Sequence, residues 1–322
     1  MRFVIVGLGG IGGTLAVRLT EVGQEVIGVA RGRHLDAVRA QGLRFETPTA
    51  TTNVPLDVRE DVRDVGITEG DTVVIAVKSQ DTAALVGVLA ACAPEETPVL
   101  CAQNGVANEP AALRRFPKVY GVVVMCPTAH VSPGVVRAYS TPVTGLLDVG
   151  RYPSGEDEVS TRLAQVLVAA GYDSRSIADV SRWKYTKLLT NLGNAVEAIC
   201  GPAARSSTLT ETLHREGREV LESAGIDYAT AEEDQTRRGS LLDLQPIQGQ
   251  RRPGGSVWQS VARHALLTEV DYLNGEICLL GRLHGVPTPA NAIVQRLTTQ
   301  IAYNGFEPGS VSHDEVMSHL SG

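Results

Sequence analysis

The chain has 322 residues, five cysteines, and 29 Lys and Arg against 36 Asp and Glu, for a formal charge of −7. That length suits two domains of roughly 150 residues, each able to bury a core. The acidic balance without a basic tract argues against nucleic acid as a partner, and no run approaches the ~18 apolar residues of a membrane span. The short, glycine-broken apolar stretch at 3–11 lacks the layout of a signal peptide, so a cytoplasmic protein with no membrane partner is expected. The cysteines, Cys92, Cys101, Cys126, Cys200 and Cys278, are far apart and contain no Cys-x-x-Cys, so neither a disulfide framework nor a metal site is expected. Glycine is in excess, 33 residues where a usual frequency of ~7% gives roughly 23.

Residues 3–6 read as a buried strand, 12–22 as a helix and 25–29 as a second strand. Further apolar runs follow at 72–77, 98–102 and 119–125. Strands apolar on both faces and separated by helices imply a mostly parallel sheet covered on both sides, hence a doubly wound α/β domain. Residues 135–139 and 144–149 read as an antiparallel pair closing that sheet, and 158–170 as a helix packed on it. From about Asp179 the pattern becomes all helical, with helices expected at 183–199, 209–224, 256–263, 268–284 and 289–303, and with a polar, Gly/Pro-rich loop at 237–255. The reading is therefore an α/β domain over 1–178 and a helical domain over 179–322.

The glycines concentrate where chemistry is expected. Gly7-Leu8-Gly9-Gly10-Ile11-Gly12 fits G-x-G-x-x-G directly after the first strand and opens a helix. In that context the first glycine turns the chain, the second admits a pyrophosphate, the third lets helix and strand pack, and the helix N-terminus faces the phosphates. An NAD site usually carries Asp or Glu at the end of the second strand, to accept from the ribose 2′-OH. This chain reads Val29-Ala30-Arg31-Gly32-Arg33 instead. Arg31, with Arg33 as helper, offers planar donors suited to a 2′-phosphate, so the expected cofactor is NADPH. Two further strand ends face the same crevice. Lys78 could bind cofactor phosphate or substrate carboxylate, and Asn104, in Gln103-Asn104-Gly105, the ribose or the nicotinamide carboxamide.

In the helical half, Lys187, Asn191 and Asn194 stand at i, i+4 and i+7, within an arc of about 60° on one helix face. They lie beside the apolar stripe Leu188, Leu192, Val196 and Ile199. A lysine at such an edge, if desolvated, has its pKa lowered and can donate a proton, while the amides hold a polar ligand. Ser256-x-x-Gln259 and Thr268-x-x-Asp271 fit capping boxes. Capping accounts for Ser256, and first-turn placement for Glu269, without further function.

Taken together, Gly7-x-Gly9-x-x-Gly12, Ala30-Arg31-Gly32, Lys78, Gln103-Asn104-Gly105, Trp183-x-x-x-Lys187-Leu188-x-x-Asn191, Ser256-x-Trp258-Gln259 and the run from Thr268 to Gly275 resemble the ketopantoate reductase (2-dehydropantoate 2-reductase) family over nearly the whole chain. The resemblance implies a Rossmann domain followed by an all-α domain of the 6-phosphogluconate dehydrogenase C-terminal-like type, with the active site between them. It implies NADPH-dependent reduction of 2-dehydropantoate to pantoate in pantothenate biosynthesis, by a cytoplasmic homodimer. Carried over, Lys187 is the general acid and Glu269 orients it. Asn191 and Ser256 bind substrate, and Lys78 and Asn104 sit at the cofactor–substrate junction. Two departures bear on the substrate. Asn194 stands three residues after Asn191, where the family often has four, with Ala195 in the later place. The interval from Ser256 to Glu269 is one residue longer, through His264-Ala265-Leu266-Leu267. Reduction of another 2-keto acid or an imine is the alternative, and a non-catalytic NADPH-binding sensor the reading of a different class.

Overall fold

The structure, a computed structural model, describes residues 1–321. The chain divides into two compact units, Met1–Lys184 with Ala231–Arg252, and Tyr185–Thr230 with the chain from Pro253 onward. None of the helices among the described residues is long and apolar enough to cross a membrane.

The first unit is α/β, with a mostly parallel sheet as expected. Its strands are β1 (Arg2–Val6), β2 (Glu25–Val29), β3 (Leu43–Glu46), β4 (Thr51–Val54), β5 (Asp57–Arg59), β6 (Asp71–Ile75), β7 (Val99–Cys101), β8 (Val119–Met125), β9 (Thr128–Ser132), β10 (Val135–Ala138), β11 (Ser140–Pro142), β12 (Leu146–Arg151) and β13 (Leu242–Leu244). The helices that cover them are α1 (Gly10–Glu21), α2 (Gly32–Gln41), α3 (Ser79–Cys92), α4 (Asn108–Leu113) and α5 (Glu158–Ala169). The main sheet runs β12-β8-β7-β6-β1-β2-β5. Every pairing in it is parallel except that of β12 with β8. Alternation along β1 feeds both faces: Phe3 and Ile5 join the core that holds α1, and Val4 and Val6 the core that holds α3. The order reverses at β1, which lies between β2 and β6, so a ligand crevice is expected beyond its carboxyl end.

The antiparallel pair expected from 135–139 and 144–149 does not form. Residues 135–138 turn back on β9 through Pro133 and Gly134, and lie parallel to β3 in a second sheet ordered β4-β3-β10-β9. The tight local hairpin claims β10, while the apolar run of β12 matches β8 over six residue pairs. Helix α5 packs on β12 as expected.

The loop expected at 237–255 is partly structured. Helix α6 (Val180–Asn191) and helix α7 (Gly193–Cys200) lead into α8 (Thr208–Ser223), and α9 (Ala231–Arg238) then precedes β13. β13 pairs antiparallel with β11, so one short strand does follow residue 179. The return is held by charge: the Arg237 guanidinium gives Asp148 on β12 two hydrogen bonds of 2.6 Å, with both side chains buried.

The second unit is helical, with α7, α8, α10 (Ser256–Ala262), α11 (Asn274–His284), α12 (Pro289–Asn304) and α13 (His313–Ser321). The helix expected over 183–199 runs as α6 and α7, joined at Leu192, which keeps helical angles (φ −59°, ψ −34°) and donates to the Leu189 carbonyl at 3.2 Å, while its own carbonyl accepts from the Asn274 amide at 3.3 Å. The one expected over 268–284 is a 3-10 turn, Glu269–Tyr272, followed by α11, because Leu273 leaves helical geometry at φ −119°, ψ −90°. Buried Glu216 of α8 accepts from the backbone N–H groups of Ala290 and Asn291 at 2.9 and 3.0 Å and from the Asn291 side chain at 2.8 Å. It thereby satisfies donors left open at the start of α12.

Replacing Arg237 with Met strands the buried Asp148 carboxylate, and removal of one partner of such a pair typically costs ~3–5 kcal/mol. Denaturant unfolding of Arg237→Met is expected to show a loss on that scale, and an unchanged midpoint would mean the pair contributes nothing net.

Candidate active site

The nucleotide end is built from backbone. Gly7 has φ +99°, and a Cβ there would lie 2.9 Å from the Ala76 carbonyl group and the Val77 nitrogen, so only glycine turns the chain at this point. A Cβ on Gly12 would run into the Gly7 carbonyl and reach Ala76 Cβ at 2.9 Å, which is the close helix–strand approach expected of the third motif glycine. Gly9 is the N-cap of α1 and has open space where a side chain would be, and no side chain caps the helix. The first-turn amides of Gly10 and Ile11 are thus presented without a competing acceptor side chain, and no acidic residue stands in that turn. Such a cradle fits a pyrophosphate.

Leu8 is buried, and its carbonyl accepts from His34 Nε2 at 2.9 Å, while His34 Nδ1 accepts the Gly134 N–H at 2.9 Å. Only the neutral ring with its proton on Nε2 makes both bonds. This brace between the glycine turn, α2 and the β9–β10 hairpin carries no motif signal; a histidine three residues past an expected ligand arginine is the only hint.

Arg31 is exposed at the N-cap of α2 in extended conformation, and Arg33 is exposed on the first turn. Arg59 stands beside Val29 in the β2–β5 register. The Asp61 carboxyl is held well below its usual range, first by Arg63 and also by the charge of Arg31, so Arg31 lies in a mixed-charge cluster that the sequence reading did not include.

The two strand-end loops form one network. Gln103 donates through Nε2 to the Val77 carbonyl and to Thr82 Oγ1, both at 2.8 Å, and Thr82 donates to Asn108 Oδ1 at 2.8 Å. Asn108 Nδ2 donates to the Asn104 carbonyl at 2.9 Å and to Ser79 Oγ at 3.3 Å. Lys78, the N-cap of α3, and Asn104 are half-buried on the loops so joined. Thr82 and Asn108 lacked any signal because nothing in their local pattern separates them from ordinary helix residues.

In the helical unit, Lys187 is half-buried and Asn191 buried on α6, and Asn194 is buried on α7, just past Leu192, where the backbone stays helical. Ser256 does not cap α10. The N-cap is Gly255, Ser256 is the first helical residue, and its buried hydroxyl has no partner among the described residues. The structure brings Ser256 and Asn194 together: a Cβ on Gly255 would lie 3.0 Å from Asn194 Oδ1 and from Glu197 Oε2, and the Gly255 N–H donates to that same Glu197 oxygen at 3.0 Å. Thr268 caps the 3-10 turn through the Val270 N–H at 3.4 Å, but Asp271 instead accepts from Gln295 at 2.7 Å, so neither capping box is completed. Glu269 is buried at the first position of that turn.

Burial pushes His34 below the ordinary imidazole value of 6.5, against the smaller opposing effect of its bond to Leu8. The ring of His130 faces it edge-on at 4.4 Å. Because the fold favours the neutral form, His34's contribution to stability is complete above 6.5 and lost as pH falls through the lowered value. The melting temperature should drop between about pH 6.5 and 5 more steeply in the wild type than in His34→Gln, and equal slopes would clear His34 as the cause.

The family described as "Ketopantoate reductase PanE/ApbA" matches residues 3–153, and its "Ketopantoate reductase PanE/ApbA C terminal" counterpart matches residues 179–302. A 2-dehydropantoate 2-reductase of Aquifex aeolicus is 28% identical over 92% of this chain and 96% of its own. The crystal structure of a PanE/ApbA family ketopantoate reductase from Ralstonia eutropha superposes with a TM-score of 0.78 at 26% identity, covering 95% of this chain and 99% of that one. D-mandelate dehydrogenase with NADH and anilino(oxo)acetate, at 18% identity and a TM-score of 0.79 over 95% and 99% of the two chains, shares the fold. With both halves matched, the chain belongs to the ketopantoate reductase family.

Proposed function

We propose that the protein reduces 2-dehydropantoate to pantoate with NADPH, in pantothenate biosynthesis, in the cytoplasm. The observation that carries the cofactor half is the uncapped start of α1 combined with Arg31, and no carboxylate, at the end of β2. Gly7, Leu8, Gly9, Gly10, Ile11 and Gly12 would hold the pyrophosphate and Arg31 the 2′-phosphate, with Lys78 and Asn104 meeting the cofactor–substrate junction. Bound NADPH supplies the hydride. Lys187 donates a proton to the keto oxygen, where charge would otherwise build up as an alkoxide, and Glu269 orients the ammonium group. Asn191, Asn194 and the hydroxyl of Ser256, which has no partner among the described residues, bind the hydroxyl and carboxylate ends of the substrate.

A homodimer fits this reading. Leu279 and Leu283, one turn apart on α11, are exposed, as are Tyr303 and Phe306 at the end of α12. A second reading, reduction of another 2-keto acid or an imine, is favoured by one observation: the longer turn before Glu269 exposes Leu266 and Leu267 and holds His264 at φ +53°. Activity on 2-dehydropantoate with kcat/KM above ~10⁴ M⁻¹s⁻¹ supports the first reading, and a value far below it, beside efficient turnover of another carbonyl compound, the second.

Lys187→Ala should lower kcat by ~10²–10⁴ while NADPH still binds, and wild-type turnover in that variant would remove Lys187 as the acid. Arg31→Ala should raise KM for NADPH by about tenfold and leave that for NADH nearly unchanged, as expected on losing one charge-assisted phosphate contact. Equal effects on the two cofactors would place the 2′-phosphate elsewhere.

A further inference from the structure

Lys184 and Glu109 have no part in the chemistry above, yet they form a deeply buried ion pair, with side chains 4% and 1% exposed. Lys184 Nζ donates to Glu109 Oε1 and, at 2.9 Å, to the carbonyl of Gln103. Gly121 on β8 makes the space, since a Cβ there would lie 3.3 Å from both Glu109 Oε1 and Lys184 Cδ. Opposite it in register on β12 is Gly150, where a Cβ would lie 2.8 Å from Val180 Cβ on α6. Two glycines side by side thus form a trough for the start of α6.

Such a pair is costly. Desolvation takes several kcal/mol per ion, and apolar side chains of similar volume often give equal or better stability. Burial pushes the Glu109 carboxyl up, against the pull of Lys184, and Glu109 Oε2 has no partner among the described residues. What an apolar pair could not supply is the hydrogen bond to the Gln103 carbonyl. That carbonyl belongs to the peptide joining Gln103 to Asn104, and the next carbonyl along, that of Asn104, accepts from Asn108. The peptide groups on either side of the Asn104 Cα are therefore clamped, one by Lys184 and the other by Asn108 on the same helix as Glu109.

We propose that Lys184 and Glu109 are positioning residues for Asn104, the charge pair fixing the loop that receives the nicotinamide half of the cofactor. This rests on the NADPH reading above. The test compares two ligands by calorimetry: NADPH, and 2′,5′-ADP, which has the 2′-phosphate end but no nicotinamide. The double variant Lys184→Met/Glu109→Leu, which removes both charges together, should fold and bind 2′,5′-ADP as the wild type does while its Kd for NADPH rises about tenfold. Lys184→Met/Glu109→Gln, which likewise removes the donor to the Gln103 carbonyl but keeps a polar side chain on α4, is measured alongside it, and the ratio of the two Kd values is read in whichever variant folds. An increase in that ratio supports positioning, because general destabilisation would affect both ligands alike. An unchanged ratio overturns the proposal and leaves the NADPH reading standing. Failure of the wild type to bind either ligand overturns the NADPH reading, and this inference with it.

Discussion

Backbone-on-backbone contact at the carboxyl end of β1 is the constraint around which the first unit is arranged. Gly12 sits against the Gly7 carbonyl, and both glycines sit against Ala76 beyond the end of β6, with no room for a side chain at either position. That closeness sets the start of α1 directly over the strand ends. It also leaves the first turn of the helix without a capping side chain, a setting that suits an anion. A larger residue at 7 or 12 would move helix from strand and lose both the packing and the cradle.

Around that contact the protein uses buried polar groups to hold backbone that regular structure does not hold. His34 grips the Leu8 carbonyl, Gln103 and Asn108 tie two strand-end loops together, and Lys184 with Glu109 takes the Gln103 carbonyl. In the helical unit Glu216, Asn291 and Asn274 form a chain of hydrogen bonds that ends on the Leu192 carbonyl, between α6 and α7. Each is a costly group to bury, and most are bonded to main chain at a strand-end loop or a helix end.

Much of this was legible from the chain. The strand–turn–helix at the N-terminus, Arg31 in place of a carboxylate and the parallel order of the sheet all rest on short-range patterns. The errors share one cause. The strand at 135–138 was expected beside 144–149 because both are apolar and close in sequence, yet a tighter hairpin with β9 claimed it. Ser256 was explained as a cap because its spacing fits a capping box, yet Gly255 takes that place and leaves the hydroxyl available.

The amino-acid sequence by itself determined the elements whose hydrogen bonds close within a few residues: the glycine turn, the helix that bears Lys187, and the apolar run that buries β1 on both faces. Tertiary structure alone decided which distant groups meet them. Lys184 reaches a carbonyl 81 positions away, and Arg237 a carboxylate 89 positions away. Such partnerships follow from the desolvation of charge in a packed interior, and a burial that many residues make jointly leaves no periodicity in any one of them.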